Sequence, residues 1–200
     1  MRLSRLEKHI VAAAAVAAGV SASANAAVVV WNCNLTIPAT IDGLYINVET
    51  QASGSAGSVV AGWDINPYSA TSLTWFNATG TGMMRYPGVT TGSAGNLSAG
   101  MTVGATGSFG SGAVTVGSAA GNWVLNASNY FGFRFIAADG LTHYGYGRMD
   151  VGAAITTRTL AFVAFESVAA TSITVLDPVP APGALALLGV AGLAGNRRRR

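Results

Sequence analysis

Aromatic residues recur at every second position in one stretch of the chain, about two thirds of the way along it. Phe131, Phe133 and Phe135 are separated by residues of other types. A period of two places the three rings on one face of a β-strand, whereas a helix would distribute them around its axis. The pattern therefore predicts a strand whose aromatic face is buried. Its opposite face is expected to carry Gly132, Arg134 and Ile136.

Two further strands are expected directly after this one. Asp139-Gly140 is a tight-turn dipeptide, and residues 141–151 and 157–166 each alternate again. Three long alternating runs separated by short turns predict an antiparallel meander. On the third strand, strict alternation is expected to separate Leu160, Phe162 and Ala164 from Ala161, Val163 and Phe165.

Shorter apolar runs, bounded by turn-forming residues, precede the meander and predict shorter strands. A final strand is expected at 172–176. The stretch 90–121 consists mainly of Gly, Ser, Ala and Thr, so only irregular edge strands are expected there. Residues 52–58 are expected to form a Gly/Ser loop. The short strands are expected at 28–31, 44–48, 59–65, 73–76 and 83–86.

The region 27–177 shows no helical periodicity. About ten short strands over this length are typical of a two-sheet β protein. Composition agrees, because the chain has 26 glycines and only 10% charged residues, against about 25% charged in an average soluble domain. We therefore predict an all-β fold: a single antiparallel, jelly-roll-like β-sandwich, flanked by an N-terminal signal peptide and a short C-terminal hydrophobic helix. The strand order stays open.

Residues 1–26 have the pattern of a secretory signal peptide. Residues 10–20 are apolar or small, which is short for a membrane span. Small residues at alternate positions predict cleavage after Ala24 or Ala26. An uncleaved N-terminal membrane anchor is the alternative. The positive start of the signal is formed by Arg2, Arg5 and Lys8.

The tail, residues 178–200, combines a proline motif, an apolar run at 184–194 and a terminal arginine cluster. As a helix, the apolar run would be only about 17 Å long, whereas the hydrocarbon core of a bilayer is ~30 Å thick. The arginines would stay on the cytoplasmic side. A transient span is therefore expected, and an ordinary weak tail anchor is the alternative. The motif is Val179, Pro180, Ala181 and Pro182, and the cluster is Arg197, Arg198, Arg199 and Arg200.

This tail resembles the PEP-CTERM sorting signal of Gram-negative bacteria, which is also labelled an ice-binding protein C-terminal domain. Ala181 stands where the family usually has Glu. The resemblance implies recognition by an exosortase, a membrane-embedded cysteine transpeptidase that would cleave near the proline motif. It also implies an exopolysaccharide-producing, biofilm-forming host. Residues 130–135 and 143–146 look like a hairpin of the passenger domains that precede this signal, most of which have no known function.

The net charge of +3 belongs to the two ends, which hold seven of the eleven basic residues. Between residues 27 and 177, four basic residues stand against seven acidic ones, which leaves −3. A nucleic-acid-binding domain needs a basic patch, so nucleic acid is not expected as a partner. The expected partners are the secretion machinery and the exosortase, both transient, and the cytoplasmic membrane through the C-terminal helix. The expected location is the cell surface or the extracellular matrix.

Two residue types with reactive side chains occur once each in the domain. For His143, a Ser-His-Asp triad would need Asp139 or Asp150 beside it, and no Gly-x-Ser-x-Gly motif marks a nucleophile. A structural hydrogen-bonding role is therefore expected for His143. Cys33 is expected to be a buried small hydrophobic residue, and an intermolecular disulfide is the alternative.

Acidic residues suggest two further kinds of site. Asp64-Ile65-Asn66 and Asp139-Gly140 resemble fragments of a calcium loop, but the ligand spacing of an EF-hand is missing. A structural calcium in a sandwich loop is the alternative. A pair of carboxylates would serve glycoside hydrolysis, yet the sequence does not show which two face each other. We therefore predict no catalytic residue, no metal site and no cofactor. The pair would be drawn from Asp42, Glu49, Asp64, Asp150 and Glu166.

Tryptophan and tyrosine side chains offer one more interpretation, a platform on which sugars stack. Most of them are expected in the core, because a glycine-rich β domain needs aromatic bulk there. The leading hypothesis is thus an exported, non-catalytic protein with a structural or adhesive role in the biofilm matrix. Alternatives are a carbohydrate-binding module that retains exopolysaccharide and, more weakly, a secreted hydrolase. The platform residues would be Trp31, Trp63, Trp75, Trp123, Tyr45, Tyr68 and Tyr144.

Overall fold

The computed structural model describes residues 26–176, and this part of the chain is all-β with antiparallel sheets. It contains strands and one short 3-10 turn at Gly57–Val59. Within these residues, no helix is long and apolar enough to cross a membrane. In chain order the strands are β1 Val28–Trp31, β2 Leu35–Thr36, β3 Tyr45–Asn47, β4 Ala52–Gly54, β5 Ile65–Tyr68, β6 Thr74–Asn77, β7 Gly82–Met84, β8 Thr102–Val103, β9 Phe109–Gly110, β10 Gly112–Ala113, β11 Ala127–Ile136, β12 Thr142–Val151, β13 Arg158–Glu166 and β14 Ile173–Thr174.

The larger sheet has the order β1-β13-β12-β11-β7-β9, and β2 also pairs with β13. Its centre is the predicted meander of β11, β12 and β13, which is confirmed. Ala127 pairs with Val151 at one end of the first hairpin, and Ile136 pairs with Thr142 at the other. The predicted turn at Asp139-Gly140 joins these strands, and Gly140 adopts the positive φ of +77° that the turn requires.

The smaller sheet has the order β10-β6-β5-β3-β4. Its strands are short, because glycine and serine turns interrupt the chain every few residues. A separate pair, β14 and β8, joins the C-terminal end of the described chain to the glycine-rich stretch. The expectation of irregular strands within 90–121 is therefore confirmed.

The main core lies where the two sheets meet. Phe131, Phe133 and Phe135 of the larger sheet are fully buried, and they share one cluster with Ile46 and Trp75 of the smaller sheet. Period-two alternation thus turns the aromatic face of β11 inward, as predicted. Two antiparallel sheets that share a buried cluster are consistent with a β-sandwich.

A second apolar cluster covers the other face of the larger sheet. Tyr144 and Tyr146 of β12 pack there with Val103 of β8 and with Ile173 of β14. The pair β8–β14 therefore shields this face from solvent. For this reason β12 and β13 are buried on both faces along most of their length.

Strand β13 contains a bulge that the alternation pattern did not predict. Arg148 pairs with Phe162, but the next residue, Met149, pairs with Leu160, so Ala161 is an extra residue. The extra residue reverses the alternation. The prediction that Leu160 shares a face with Phe162 was therefore wrong: Leu160 lies in the main core, and Ala161 and Phe162 lie in the second cluster.

The predicted strand at 59–65 was also wrong. The 3-10 turn ends at Val59, and β5 begins only at Ile65. Gly62 has a φ of +62°, which interrupts an extended strand. In addition, part of the expected loop at 52–58 is the edge strand β4, which pairs with β3.

Both predicted sorting segments lie outside the described residues. The signal peptide was assigned to 1–26, of which only Ala26 is described, and the tail to 178–200. The cleavage sites, the proline motif and the arginine cluster stay predictions.

Candidate binding groove

The seven predicted platform residues do not form one surface. Trp75 and Trp123 are fully buried in the main core, and Trp31 packs against it. Tyr144 is buried in the second cluster. The core interpretation is therefore confirmed for these side chains.

Trp63 and Phe76 instead line an open groove on the smaller sheet, here called the Trp63–Phe76 groove. Their ring centroids are 5.7 Å apart, and their planes are tilted by 32°. Phe76 is 52% exposed, which is unusual for a phenylalanine. The groove has a volume of about 510 Å³ and is lined by Gly57, Val60, Ala61, Gly62, Trp63, Phe76, Asn77, Ala78 and Thr79.

Strand geometry explains why these rings face outward. Trp75 and Ile46 point into the main core, so their neighbours Phe76 on β6 and Tyr45 on β3 point to the other face of the sheet. Tyr45 contacts the ring of Trp63 edge-to-face, with centroids 5.0 Å apart. Tyr45 therefore fixes the orientation of the Trp63 ring.

Gly57 allows this aromatic packing. A Cβ atom at this position would lie 2.9 Å from Nε1 of Trp63 and 3.0 Å from Cε1 of Tyr45. Both distances are too short for unstrained packing. Only glycine lets the 3-10 turn approach the two rings so closely.

One wall of the groove is fixed by a buried asparagine. Asn47 is 7% exposed, and its side-chain nitrogen donates to the carbonyl oxygens of Ala61 at 3.0 Å and Gly62 at 2.8 Å. Its side-chain oxygen accepts from the backbone N–H of Thr50. These bonds hold the chain that leads into Trp63.

The other wall is fixed by the backbone of Asp64. Its carbonyl oxygen accepts a hydrogen bond from the N–H of Ala78 at 3.1 Å and another from the hydroxyl of Thr81 at 3.0 Å. Asp64 directly follows Trp63, so both walls are tied to the start of β5. The groove is therefore largely preformed, as small-molecule sites usually are.

The groove is uncharged, but a buried carboxylic acid lies behind it. Asp64 is 4% exposed, and its Oδ2 accepts from the N–H of Val48 at 2.9 Å. Burial raises the pKa of Asp64 to about 7; the bond from Val48 opposes this rise, and the negative charge of Glu49 adds to it.

His143 connects the Asp139-Gly140 turn to β13 through both of its ring nitrogens. Its Nδ1 is 2.8 Å from the carbonyl oxygen of Glu166, and its Nε2 is 3.1 Å from Oδ2 of Asp139. Burial opposes the charge on His143, but the bonds to Glu166 and Asp139 outweigh it and raise its pKa. Both ring nitrogens are engaged, so the predicted hydrogen-bonding role is confirmed.

The other acidic candidates are held in separate contacts. Glu49 accepts from the N–H of Ala138, and Asp150 pairs with Arg148 and with the hydroxyl of Ser128. Asp42 is exposed. Within residues 26–176, no group of three His, Cys, Asp or Glu side chains is arranged to hold a metal ion.

Cys33 is half-buried, and its thiol donates to the carbonyl oxygen of Leu160 at 3.3 Å. Burial raises the pKa of the Cys33 thiol. A thiol with a raised pKa is a poor nucleophile at neutral pH.

Phe76 is the groove residue that the sequence interpretation missed, because only Trp and Tyr were considered for stacking. A signal was present: Trp75 and Phe76 are neighbours on a predicted strand, so one of them must face away from the core. Which of the two faces outward depends on the second sheet.

Comparison of the chain with known proteins adds no relative. No protein-family model matches it, no curated protein matches it, and no solved structure matches it.

Proposed function

We propose that this chain is an exported, non-catalytic protein with a structural or adhesive role in the extracellular biofilm matrix. The observation that carries the proposal is the order of the C-terminal tail: proline motif, apolar run at 184–194 and four terminal arginines. The tail resembles the PEP-CTERM signal. It would hold the chain in the cytoplasmic membrane until an exosortase cleaves it, and the domain would then remain at the cell surface.

In this proposal the delivered part is a single jelly-roll-like sandwich between a cleaved signal peptide and a C-terminal hydrophobic helix. Two observations support it. The sheets share one core, and the described strands end at Thr174, only four residues before the tail begins at Pro178. A folded domain placed so close to the tail suits surface display.

Intact-mass analysis of the protein purified from its host tests this proposal. We expect an N-terminus just after Ala24 or Ala26 and a C-terminus near Pro182. A mass that retains Arg197–Arg200 would contradict processing by an exosortase and would favour the permanent tail anchor.

Carbohydrate binding is the second candidate, and the Trp63–Phe76 groove favours it. An exposed phenylalanine and a partly exposed tryptophan beside a polar side chain are a typical arrangement for holding a ring that has apolar faces and polar edges. The test is retention of the exported protein on exopolysaccharide from its own host. Absence of retention would contradict the carbohydrate-binding candidate and would leave the structural role as the only proposal.

A further inference from the structure

Building on the carbohydrate-binding candidate, we infer that the Trp63–Phe76 groove binds an uncharged polysaccharide, whose sugar rings stack on Trp63 and Phe76. This inference names both the site and the class of glycan, neither of which follows from export and sorting.

The aromatic pair provides the stacking surface. The faces of an aromatic ring carry partial negative charge, and they attract groups with partial positive charge. The C–H groups on the faces of a pyranose ring are such groups. Phe76 is 52% exposed, and the centroid of Trp63 is 5.7 Å away, so successive sugar contacts along one chain fall on neighbouring rings.

A polar residue of the groove suits the edge of a sugar ring. Thr79 lines the same groove as the two aromatic rings and is exposed, whereas the side-chain nitrogen of Asn77 already donates to the carbonyl oxygen of Gly110 at 3.2 Å. Sugar hydroxyls both donate and accept hydrogen bonds, as do hydroxyl side chains. A purely hydrocarbon ligand that covered Thr79 would leave its hydroxyl without a partner, which costs free energy.

Charge decides between neutral and acidic polysaccharides. None of the residues lining the groove is charged, so a uronic acid would find no cation to pair with. The four arginines of the described domain are engaged elsewhere. Arg85 and Arg158 donate to backbone carbonyls, Arg134 lies over Phe109, and Arg148 pairs with an aspartate.

The rigidity of both walls favours binding as well. Asn47 fixes one wall, and the bonds from Ala78 and Thr81 to Asp64 fix the other. A preformed groove loses little conformational entropy when a glycan enters it.

Affinity electrophoresis of the mature protein tests the inference. The probes are two neutral polysaccharides, dextran and galactomannan, and two acidic ones, alginate and hyaluronan. The test variant is Phe76→Ala, which removes a half-exposed ring and is therefore expected to fold. The matched control is Leu176→Ala, because Leu176 is 50% exposed and follows β14 on the opposite side of the larger sheet.

We expect the wild type and Leu176→Ala to be retarded by at least one neutral polysaccharide, independently of salt. Phe76→Ala should bind it about tenfold more weakly, as for an aromatic residue at the centre of a binding site. Unchanged thermal unfolding of Phe76→Ala would show that the loss does not come from unfolding.

Three outcomes would overturn the inference. Glycan binding that survives Phe76→Ala would place the site elsewhere and leave the carbohydrate-binding candidate intact. Preference for alginate or hyaluronan would contradict the neutral class alone. Absence of binding to all four probes would overturn the inference, and Phe76-dependent adsorption to uncharged phospholipid vesicles would then identify the groove as a lipid-contacting surface.

Discussion

Asp64 is a buried acid that directly precedes β5 of the smaller sheet, with Oδ2 bonded to the N–H of Val48. Its carboxyl group is expected to be protonated in the folded protein up to about pH 7. In the unfolded chain the ordinary value of 3.8 applies. The stability contributed by the protonated form is therefore fully present below about pH 4 and is lost as the pH rises to about 7.

Asp64→Asn removes this loss, because an amide oxygen still accepts from Val48 and no proton is released. At pH 4 the variant and the wild type should be about equally stable. At pH 8 the variant should be more stable, by up to about 4 kcal/mol. Urea unfolding at a series of pH values measures the difference, and curves that stay parallel from pH 4 to pH 8 would contradict the prediction.

Asp64 fixes a wall of the Trp63–Phe76 groove through its backbone carbonyl, and an asparagine would do this equally well.

At the scale of elements, one arginine connects the two sheets. Arg158 begins β13 and is 2% exposed. Its guanidinium donates to the carbonyl oxygens of Ser69 at 2.8 Å, of Pro38 at 3.1 Å and of Ser72. These carbonyls belong to loops that flank strands of the smaller sheet, and burial lowers the pKa of Arg158.

Arg158→Met should destabilise the fold by about 3 kcal/mol, because buried carbonyl groups lose their donors. Arg148→Met on the neighbouring strand is the matched control. The Arg148 side chain is 31% exposed and pairs with a partly exposed aspartate, so its loss should cost no more than about 1 kcal/mol. Chemical denaturation gives both values, and equal losses would show that the carbonyl contacts of Arg158 contribute nothing.

The elements that could be predicted from the sequence are those with strong local patterns. The pattern of Phe131, Phe133 and Phe135 predicts a strand, because every second side chain is aromatic. The bulge at Ala161 could not be predicted, because both faces of β13 are apolar and a shift by one residue leaves no polar residue misplaced.

The groove depended on contacts that are distant in sequence. The chain before β5 turns because Gly62 has a positive φ and because Asn47, 15 residues earlier, binds its carbonyl. Neither cause is visible in a local pattern of apolar residues. The sequence therefore indicates seven aromatic candidates for stacking. Only the packing of the two sheets shows that Trp63 and Phe76 are the rings that line the groove.

At the scale of the whole molecule, the domain has few charges and two apolar clusters, one on each face of the larger sheet. Its surface carries several exposed apolar residues as well, including Ile41 at 79% and Val59 at 71%. Low surface charge does little to prevent association. These properties agree with the proposed location of the protein at a crowded cell surface rather than in dilute solution.

The pairing of β1 with β13 also determines when the domain can fold. Val28 of β1 pairs with Glu166 of β13. The first strand can therefore pair only after nearly the whole domain has been synthesised and exported. Long-range pairing of this kind makes folding slow. In a chain that crosses the membrane N-terminus first, as proposed, β1 emerges early and must wait for β13. Slow closure keeps the chain unfolded during translocation, and it lengthens the time during which the nascent protein can aggregate.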